Sequence, residues 1–172
     1  MKKLLVVVDY QKDFVDGSLG FPGAEKLLPY ILDLINEYDV NGDDVVFTKD
    51  THSDNYLSTI EGKHLPVKHC IPGTPGYAFY GPLEEISQDH LVFDKPTFGS
   101  AKLFDYLREH NYEEITLVGL VSNICVLSNA VLAKTALPES HILVDTKGAD
   151  SFDKEMQAKG YDILRNLHIS VI

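Results

Sequence analysis

Short, nearly continuous apolar runs alternate along the chain with segments whose apolar residues recur every three or four positions. Runs of the first kind are typical of strands buried on both faces, and we predict them at residues 3–9, 44–49, 90–94, 115–119, 141–145 and 168–172. Segments of the second kind predict helices at residues 24–38, 100–110, 123–137 and 153–166. This alternation predicts an α/β layered fold with a parallel sheet and right-handed crossovers.

Length and composition fit one globular domain. The chain has 172 residues, of which 44% are hydrophobic, and this is enough to build a core on both sides of a sheet. We therefore predict a single domain over residues 1–172. The formal net charge is −11 and the 15 Lys and Arg residues are scattered, which argues against a phosphate-binding surface. We expect no nucleic-acid partner.

The N-terminus has the beginning of a signal-peptide pattern, but only a short one. After Lys2 and Lys3 the apolar run covers residues 4–8, and Asp9 then interrupts it, so we interpret the run as the first strand. No apolar stretch approaches the ~18 residues that a membrane helix requires. Two cysteines are too few for a disulfide framework and fit a reducing compartment. We expect a cytoplasmic protein with no membrane partner.

One long connection departs from the alternation. Residues 50–82 carry Gly, Pro, Thr, His and Tyr with weak periodicity. A connection longer than about 15 residues in a compact domain is usually functional. We expect this segment to contribute to a binding site.

Reactive side chains follow the ends of four predicted strands. Asp9 ends the first strand, Asp50 and His52 follow the second, Lys95 follows the third, and Cys125 follows the fourth after a short turn. Open α/β sheets bind ligands outside the carboxyl ends of their strands. The sequence therefore predicts that these side chains converge on one rim of the sheet.

Cys125 lies where a strand-like run gives way to a turn and then to a helix. The dipole and the unpaired N–H groups of a first helical turn favour negative charge, so this position predicts a lowered thiol pKa. Taken alone, Cys125 is equally well interpreted as a small packing residue. Together with Asp9 and Lys95 it can form a Cys-Asp-Lys triad. Asp9 would take the thiol proton, and Lys95 would hold the thiolate and orient Asp9.

The chain also carries three segments in series: VVVDYQKDFVDGSL near the N-terminus, FDKPTFGS in the middle and GLVSNICV later. Together they resemble the signature segments of the isochorismatase-like cysteine hydrolases. The resemblance implies a catalytic triad of Asp9, Lys95 and Cys125, and a three-layer fold with a six-stranded parallel sheet flanked by helices. It also implies an oxyanion hole formed by the backbone amides of Val121 and Cys125, with a cis peptide bond between Leu120 and Val121.

A fourth segment, TKDTHSDNYLSTIEGKHLPVKHCIPGT, is similar to the metal-binding region of the nicotinamidases. The resemblance implies that Asp50, His52 and His69 hold a divalent metal, and a carboxylate with two imidazoles suits zinc, with iron or manganese as alternatives. It further implies that Phe14 stacks on the substrate ring. The implied reaction converts nicotinamide to nicotinate and ammonia through a cysteine thioester.

Several positions depart from the nicotinamidase pattern. Ser58 stands where many members have a third histidine, which leaves Glu61, His64 or water alone to complete the ligand set. Pro66 replaces a common tryptophan, and the protein contains no tryptophan at all. A differently shaped pocket and a different small amide therefore remain open. We interpret Cys70, beside His69, as a bystander.

Two alternatives stay open beside a nicotinamidase. The first is an isochorismatase-like hydrolase of another small amide or of a vinyl ether, in which Asp50, His52 and His69 bind no metal. The second is a receiver-like signalling module with Asp9, Asp50 and Lys95 at its strand ends, although this leaves Cys125 without a role. The family's tendency to self-associate also leaves a homo-oligomer open.

Overall fold

The computed structural model describes residues 2–172. The strands are β1 (Lys3–Val8), β2 (Asp44–Asp50), β3 (Leu91–Lys95), β4 (Glu114–Leu120), β5 (His141–Asp150) and β6 (Ser170–Val171). The α-helices are α1 (Lys12–Val15), α2 (Leu28–Asn41), α3 (Ile60–His64), α4 (Leu83–Ile86), α5 (Ala101–Arg108), α6 (Leu127–Ala136) and α7 (Lys154–Asn166). Among the described residues, no helix is both long enough and apolar enough to cross a membrane.

The six strands form one sheet in the order β3-β2-β1-β4-β5-β6, and all neighbouring pairs are parallel. The predicted six-stranded parallel sheet flanked by helices is therefore confirmed. Strand β1 lies inside the sheet between β2 and β4. The chain adds β2 and β3 on one side of β1 and β4 to β6 on the other, so the strand order reverses beside β1. Ligands of open α/β sheets bind at such a reversal.

Strand β1 shows why its sequence is apolar at every position. Leu4, Val6 and Val8 pack in the core formed with α5, α6 and α7, whereas Leu5 and Val7 pack in the core formed with α2. Successive side chains of a strand point to opposite faces, so a strand covered on both sides needs an unbroken apolar run. Burying each such side chain stabilises the fold by about 1.5–3 kcal/mol.

The expectation of burial on both faces is wrong for β3. Leu91 and Val92 are exposed, because β3 is the edge of the sheet and pairs only with β2. Its last residue, Lys95, is buried, and it is the residue that the predicted triad requires.

Two predicted helices begin differently from the sequence expectation. The segment 24–38 starts with a 3₁₀ turn at Ala24–Leu27 and continues as α2, which is capped at its C-terminus by Gly42 with a φ of +75°. The segment 123–137 starts with a π-helical turn at Ser122–Val126, and α6 follows it directly. Such π turns are frequent at functional sites.

The connection from β4 into this π-helical turn depends on one glycine. Gly119 has a φ of +112°, and a Cβ built on it would lie 2.0 Å from the carbonyl oxygen of Val8 in β1. Only glycine allows the two strands to approach this closely. One residue further on, the peptide bond between Leu120 and Val121 is cis, in agreement with the resemblance.

Candidate active site

The carboxyl ends of four neighbouring strands bring the predicted residues together. Asp9 follows β1, Asp50 ends β2, Lys95 ends β3, and Cys125 lies in the turn after β4. All four are buried. The structure therefore places these four residues on one rim of the sheet, as their positions at the strand ends predict.

Lys95 is the centre of this group. Its Nζ lies 2.6 Å from Asp9 Oδ2, 3.2 Å from Asp50 Oδ1 and 3.6 Å from Cys125 Sγ, and it donates to the carbonyl oxygen of Thr97 at 2.9 Å. Burial alone would lower the pKa of Lys95, but the charges of Asp9, Cys125 and Asp50 outweigh it and raise the pKa. The ammonium therefore stays charged and compensates the negative charge of the site.

Asp9 is held in an unusual backbone conformation at the end of β1. Its φ is +46°, a region that non-glycine residues rarely occupy and that occurs at functional sites. The hydroxyl of Thr48 donates to Asp9 Oδ1 at 2.7 Å, and Lys95 pairs with the other carboxylate oxygen. Complete burial raises the pKa of Asp9, although Lys95 opposes the shift. A carboxyl group in such a site is suited to take up and return a proton.

The predicted lowering of the Cys125 pKa is wrong for the protein without substrate. Burial raises the thiol pKa well above its ordinary value; Lys95 opposes the shift, and the carboxylates of Asp9 and Asp50 add to it. The expected effect of a first helical turn is outweighed because the thiol is buried, and burial removes most of the water that would stabilise its negative charge. Without substrate Cys125 is therefore a thiol whose proton needs an acceptor, and the Asp9 carboxylate contacts the same Lys95 ammonium as the sulfur does.

Asn129 connects the turn that carries Cys125 to the segment that follows Lys95. Its side-chain nitrogen donates to the carbonyl oxygens of Cys125 and Phe98, at 2.8 and 3.1 Å, and its oxygen accepts from the amide of Ser100 at 2.9 Å. The residue is fully buried. Asn129 is not among the predicted site residues, but its place four positions after Cys125 puts it on the same face of a mostly apolar helix, which is a usable signal.

Beside the Cys-Asp-Lys group lies a second cluster formed by Asp50, His52 and His69. One ligand atom from each lies within 4.8 Å of the others, and all three residues are buried. Asp50 Oδ2 is 2.9 Å from His52 Nε2 and 3.3 Å from His69 Nε2. Asp50 therefore belongs to both groups, since its other oxygen pairs with Lys95. This sharing is not evident from the spacing of the residues in the sequence.

The chemistry of the cluster fits a divalent metal ion. His69 Nδ1 lies 2.8 Å from the carbonyl oxygen of Val67, which only accepts, so Nδ1 carries the hydrogen. Nε2 then faces Asp50 Oδ2 at 3.3 Å: the protonated ring, whose pKa Asp50 raises, donates a hydrogen bond there, and loss of that proton would free the Nε2 lone pair for a metal. Burial would raise the pKa of Asp50, but hydrogen bonds from His52 and His69 and the charge of Lys95 hold it below its usual range. One carboxylate and two imidazoles make a donor set for zinc, iron or manganese.

The structure distinguishes the two candidates for a further metal ligand, Glu61 and His64. Glu61 Oε1 lies 3.6 Å from His52 Nε2 and 4.0 Å from His69 Nε2, so Glu61 approaches the cluster. His64 is exposed and turns its Nδ1 to the carbonyl oxygen of Ile60 at 2.9 Å. Ser58 is exposed as well, and its hydroxyl donates to the carbonyl oxygen of Asn55.

Two N-terminal side chains anchor the cluster. Gln11 is fully buried; it accepts from the Asp50 amide at 2.7 Å and donates to the Asp50 carbonyl oxygen at 3.0 Å. Asp13 Oδ2 accepts from the amide of Cys70 at 2.7 Å and so holds the segment next to His69. Burial raises the pKa of the Cys70 thiol, so Cys70 has the properties of an inert residue.

The two groups open into one cavity of about 900 Å³, the active-site cavity. Its wall includes Cys125, Val121, Asp50, His69 and Phe14. The Phe14 ring packs edge-on against His69, with ring centroids 5.6 Å apart. A ligand in this cavity can reach the thiol and the Asp50 cluster at the same time.

Comparison with known proteins identifies relatives that align over nearly the whole chain. The isochorismatase domain family matches residues 3–172. An uncharacterized isochorismatase family protein of Bacillus subtilis (strain 168) is 34% identical over 171 residues, which cover 92% of this chain and 91% of that protein. The nicotinamidase/pyrazinamidase of Mycobacterium tuberculosis is 30% identical over 172 residues, which cover 91% of each chain.

Solved structures show the same architecture. The nicotinamidase/pyrazinamidase of Bacillus subtilis has a TM-score of 0.86 at 29% identity, with 99% of each chain covered. The pyrazinamidase of Pyrococcus horikoshii, solved in complex with zinc, also has a TM-score of 0.86, at 23% identity, with 100% of this chain and 99% of that chain covered. The shared fold and the family match over residues 3–172 establish that this chain belongs to the isochorismatase family.

Proposed function

We propose that this protein is a nicotinamidase, a cysteine hydrolase that converts nicotinamide to nicotinate and ammonia. The observation that carries the proposal is the position of Lys95 Nζ, 2.6 Å from Asp9 and 3.6 Å from Cys125, next to a metal-type cluster in the same cavity. Relatives named as nicotinamidases in Mycobacterium tuberculosis and Saccharomyces cerevisiae support the substrate. The second of these is 26% identical, with 99% of both chains covered.

The proposed first half-reaction forms a thioester. Asp9 accepts the Cys125 proton as the sulfur adds to the carboxamide carbon, and Lys95 compensates the charge on both partners. The backbone amides of Val121 and Cys125 hold the resulting oxyanion, and donors of this kind are worth about 3 kcal/mol each. The carbon–nitrogen bond then breaks, and protonated Asp9 returns its proton to the leaving nitrogen, which departs as ammonia.

The proposed second half-reaction regenerates the thiol. Asp9 takes a proton from a water molecule as the water oxygen adds to the thioester carbon. The same two amides again hold the oxyanion. The carbon–sulfur bond breaks, and the proton on Asp9 returns to Cys125. The carboxylic acid product loses its own proton to solvent and leaves as nicotinate. The raised pKa values of Asp9 and Cys125 fit this exchange, because both groups exist in the protonated form during the cycle.

We further propose that Asp50, His52 and His69 hold zinc, with iron or manganese as alternatives and with Glu61 as a further ligand. The bound ion would offer a coordination position to the pyridine nitrogen and so orient the ring. Phe14 would stack on the same ring from the cavity wall. The distances of Glu61 from the two histidines, 3.6 and 4.0 Å, support its inclusion over His64.

The direct test is ammonia release from nicotinamide by the purified, zinc-loaded protein. Cys125→Ala should abolish release, and Asp9→Asn should reduce it by at least about a hundredfold, as expected for loss of a general base. Cys70→Ala is the matched control and should retain activity. The proposal would be refuted if the protein released no ammonia from either nicotinamide or pyrazinamide. Equal losses of activity in Cys125→Ala and Cys70→Ala would also refute it.

The alternatives fit less well. A metal-free hydrolase of another amide or of a vinyl ether would leave the buried Asp50, His52 and His69 cluster without a use. A receiver-like module is not favoured by the isochorismatase match over residues 3–172. That match also supports one domain over residues 1–172. The cytoplasmic location and a homo-oligomer stay predictions.

A further inference from the structure

We propose that the active-site cavity continues outward into an apolar vestibule that binds a neutral, apolar substituent on the substrate ring. This inference rests on the proposed function and narrows its substrate class to pyridine carboxamides with a short hydrocarbon extension. The vestibule consists of Ile60, Leu65, Phe98 and Phe152, which line the same cavity as Cys125.

The exposure of these four side chains is the first observation. Ile60 is 77% exposed, Leu65 37%, Phe98 45% and Phe152 62%. They come from three separate parts of the chain: the region of α3, the segment between β3 and α5, and the segment between β5 and α7. Single exposed apolar residues are ordinary, but several that converge on one cavity mark a binding surface.

The size of the cavity is the second observation. Its volume of about 900 Å³ is near the upper end of the range of roughly 300–1,000 Å³ found for sites that hold drug-sized ligands. Nicotinamide has one six-membered ring and a carboxamide, so it fills only the part next to Cys125 and the Asp50 cluster. The remaining space is bordered by the vestibule.

The charges around the cavity define which extensions fit. Asp50 and Glu61 contribute carboxylates to the wall, and none of the described residues lining the cavity is Lys or Arg. In the vestibule itself an anionic group, and a phosphate above all, would lose its hydration against four hydrocarbon side chains and gain no Lys or Arg partner. The vestibule therefore selects hydrocarbon extensions and rejects nucleotide forms of the substrate.

The chemistry of the ring indicates where such an extension sits. In the proposed complex the ring nitrogen faces the Asp50 cluster and the carboxamide at position 3 faces Cys125. Position 5 is the ring carbon separated by one carbon from both of these anchored positions. A substituent on position 5 is thus the one that can point to the vestibule without displacing either anchor.

The test compares kcat/KM for nicotinamide, 5-propylnicotinamide and 5-(2-carboxyethyl)nicotinamide on the zinc-loaded protein. Burying each methylene is worth about fourfold, and binding energy of this kind raises kcat/KM, so we expect at least about a tenfold gain for the propyl compound in this partly open site. The carboxyethyl compound should fall below nicotinamide. Ile60→Ser and Phe152→Ser should each lower the propyl-to-nicotinamide ratio by about threefold or more. Ile163→Ser, an exposed position on α7 outside the cavity, is the control and should leave the ratio unchanged.

The outcomes separate this inference from the proposed function. Hydrolysis of nicotinamide with no gain for the propyl compound would overturn the vestibule and leave the proposed function intact. Hydrolysis of neither compound would overturn both. If Ile60→Ser and Phe152→Ser change the oligomeric state in light scattering but not the ratio, the patch is covered by a second copy of the chain, and the inference is wrong.

Discussion

Replacing Asn129 by leucine should damage both stability and catalysis, because this side chain joins the two halves of the site. The change keeps the size and shape of the side chain but removes its three hydrogen bonds, to Ser100, Phe98 and Cys125. It leaves one amide and two carbonyl groups without these partners. Each lost bond costs about 1 kcal/mol, so we expect the free energy of unfolding to fall by about 3 kcal/mol.

The loss of stability can be measured by urea unfolding and by thermal melting. For a chain of this length about 1 kcal/mol shifts the melting temperature by roughly 2–4 °C, so Asn129→Leu should melt about 6–12 °C lower. Asn166→Leu, at the exposed end of α7, is the matched control and should shift it by no more than about 2 °C. The slope of the urea transition should be the same for both variants.

Catalysis should suffer beyond the loss of stability. Asn129 fixes the distance between Cys125 and the segment after Lys95, and a displacement of about 1 Å in a reacting group can cost about a hundredfold in rate. We therefore expect kcat for nicotinamide to fall by ten- to a hundredfold at a temperature where the variant is fully folded. If Asn129→Leu unfolds within about 0.5 kcal/mol of the control and keeps its kcat, the role assigned to Asn129 is wrong.

Three further predictions concern the metal, the thiol and the ring. Zinc at a hundred times its Kd should stabilise the protein by about 2.7 kcal/mol, or roughly 5–10 °C in melting temperature. The His69→Ala variant should lose this zinc-dependent shift, whereas the His64→Ala variant should keep it. An equal shift in the two variants would contradict the ligand assignment. Burial raises the pKa of Cys125, so the rate of its alkylation by iodoacetamide in the metal-free protein should still be rising with pH beyond pH ~8.5, the ordinary thiol pKa. A rate that reaches its plateau below that pH would refute the raised pKa. Phe14→Leu should raise KM for nicotinamide by about two- to tenfold with little change in kcat, the loss expected for one aromatic contact, and an unchanged KM would argue against ring stacking.

The fold could be predicted from the sequence because the inner strands of its sheet are short and covered on both sides. The apolar run at Leu4 to Val8 has side chains in both cores, so local composition alone identified β1. The exposure of β3 could not be predicted, because composition does not reveal which strand lies at the edge of the sheet. The π-helical turn at Ser122–Val126 was also missed, since helical spacing does not distinguish a π turn from an α turn.

The candidate site was predictable in its residues but not in its electrostatics. Asp9, Lys95 and Cys125 follow strand ends, and parallel strands bring such positions together. The thiol pKa was misjudged, because burial at Cys125 depends on packing that the sequence does not display. The sharing of Asp50 between Lys95 and the two histidines depends on the orientation of one carboxylate, which sequence spacing cannot specify.

The central claim is that Cys125 forms a thioester with the acyl group of nicotinamide. It is tested most directly by acid-quenching the zinc-loaded protein during turnover and measuring its mass, followed by peptide mapping. The mechanism predicts a transient nicotinoyl group on the peptide that carries Cys125, none on the peptide that carries Cys70, and loss of the adduct and of ammonia release in Cys125→Ala. Nicotinate formation without an acyl adduct in the wild-type protein, together with turnover by Cys125→Ala, would contradict the claim.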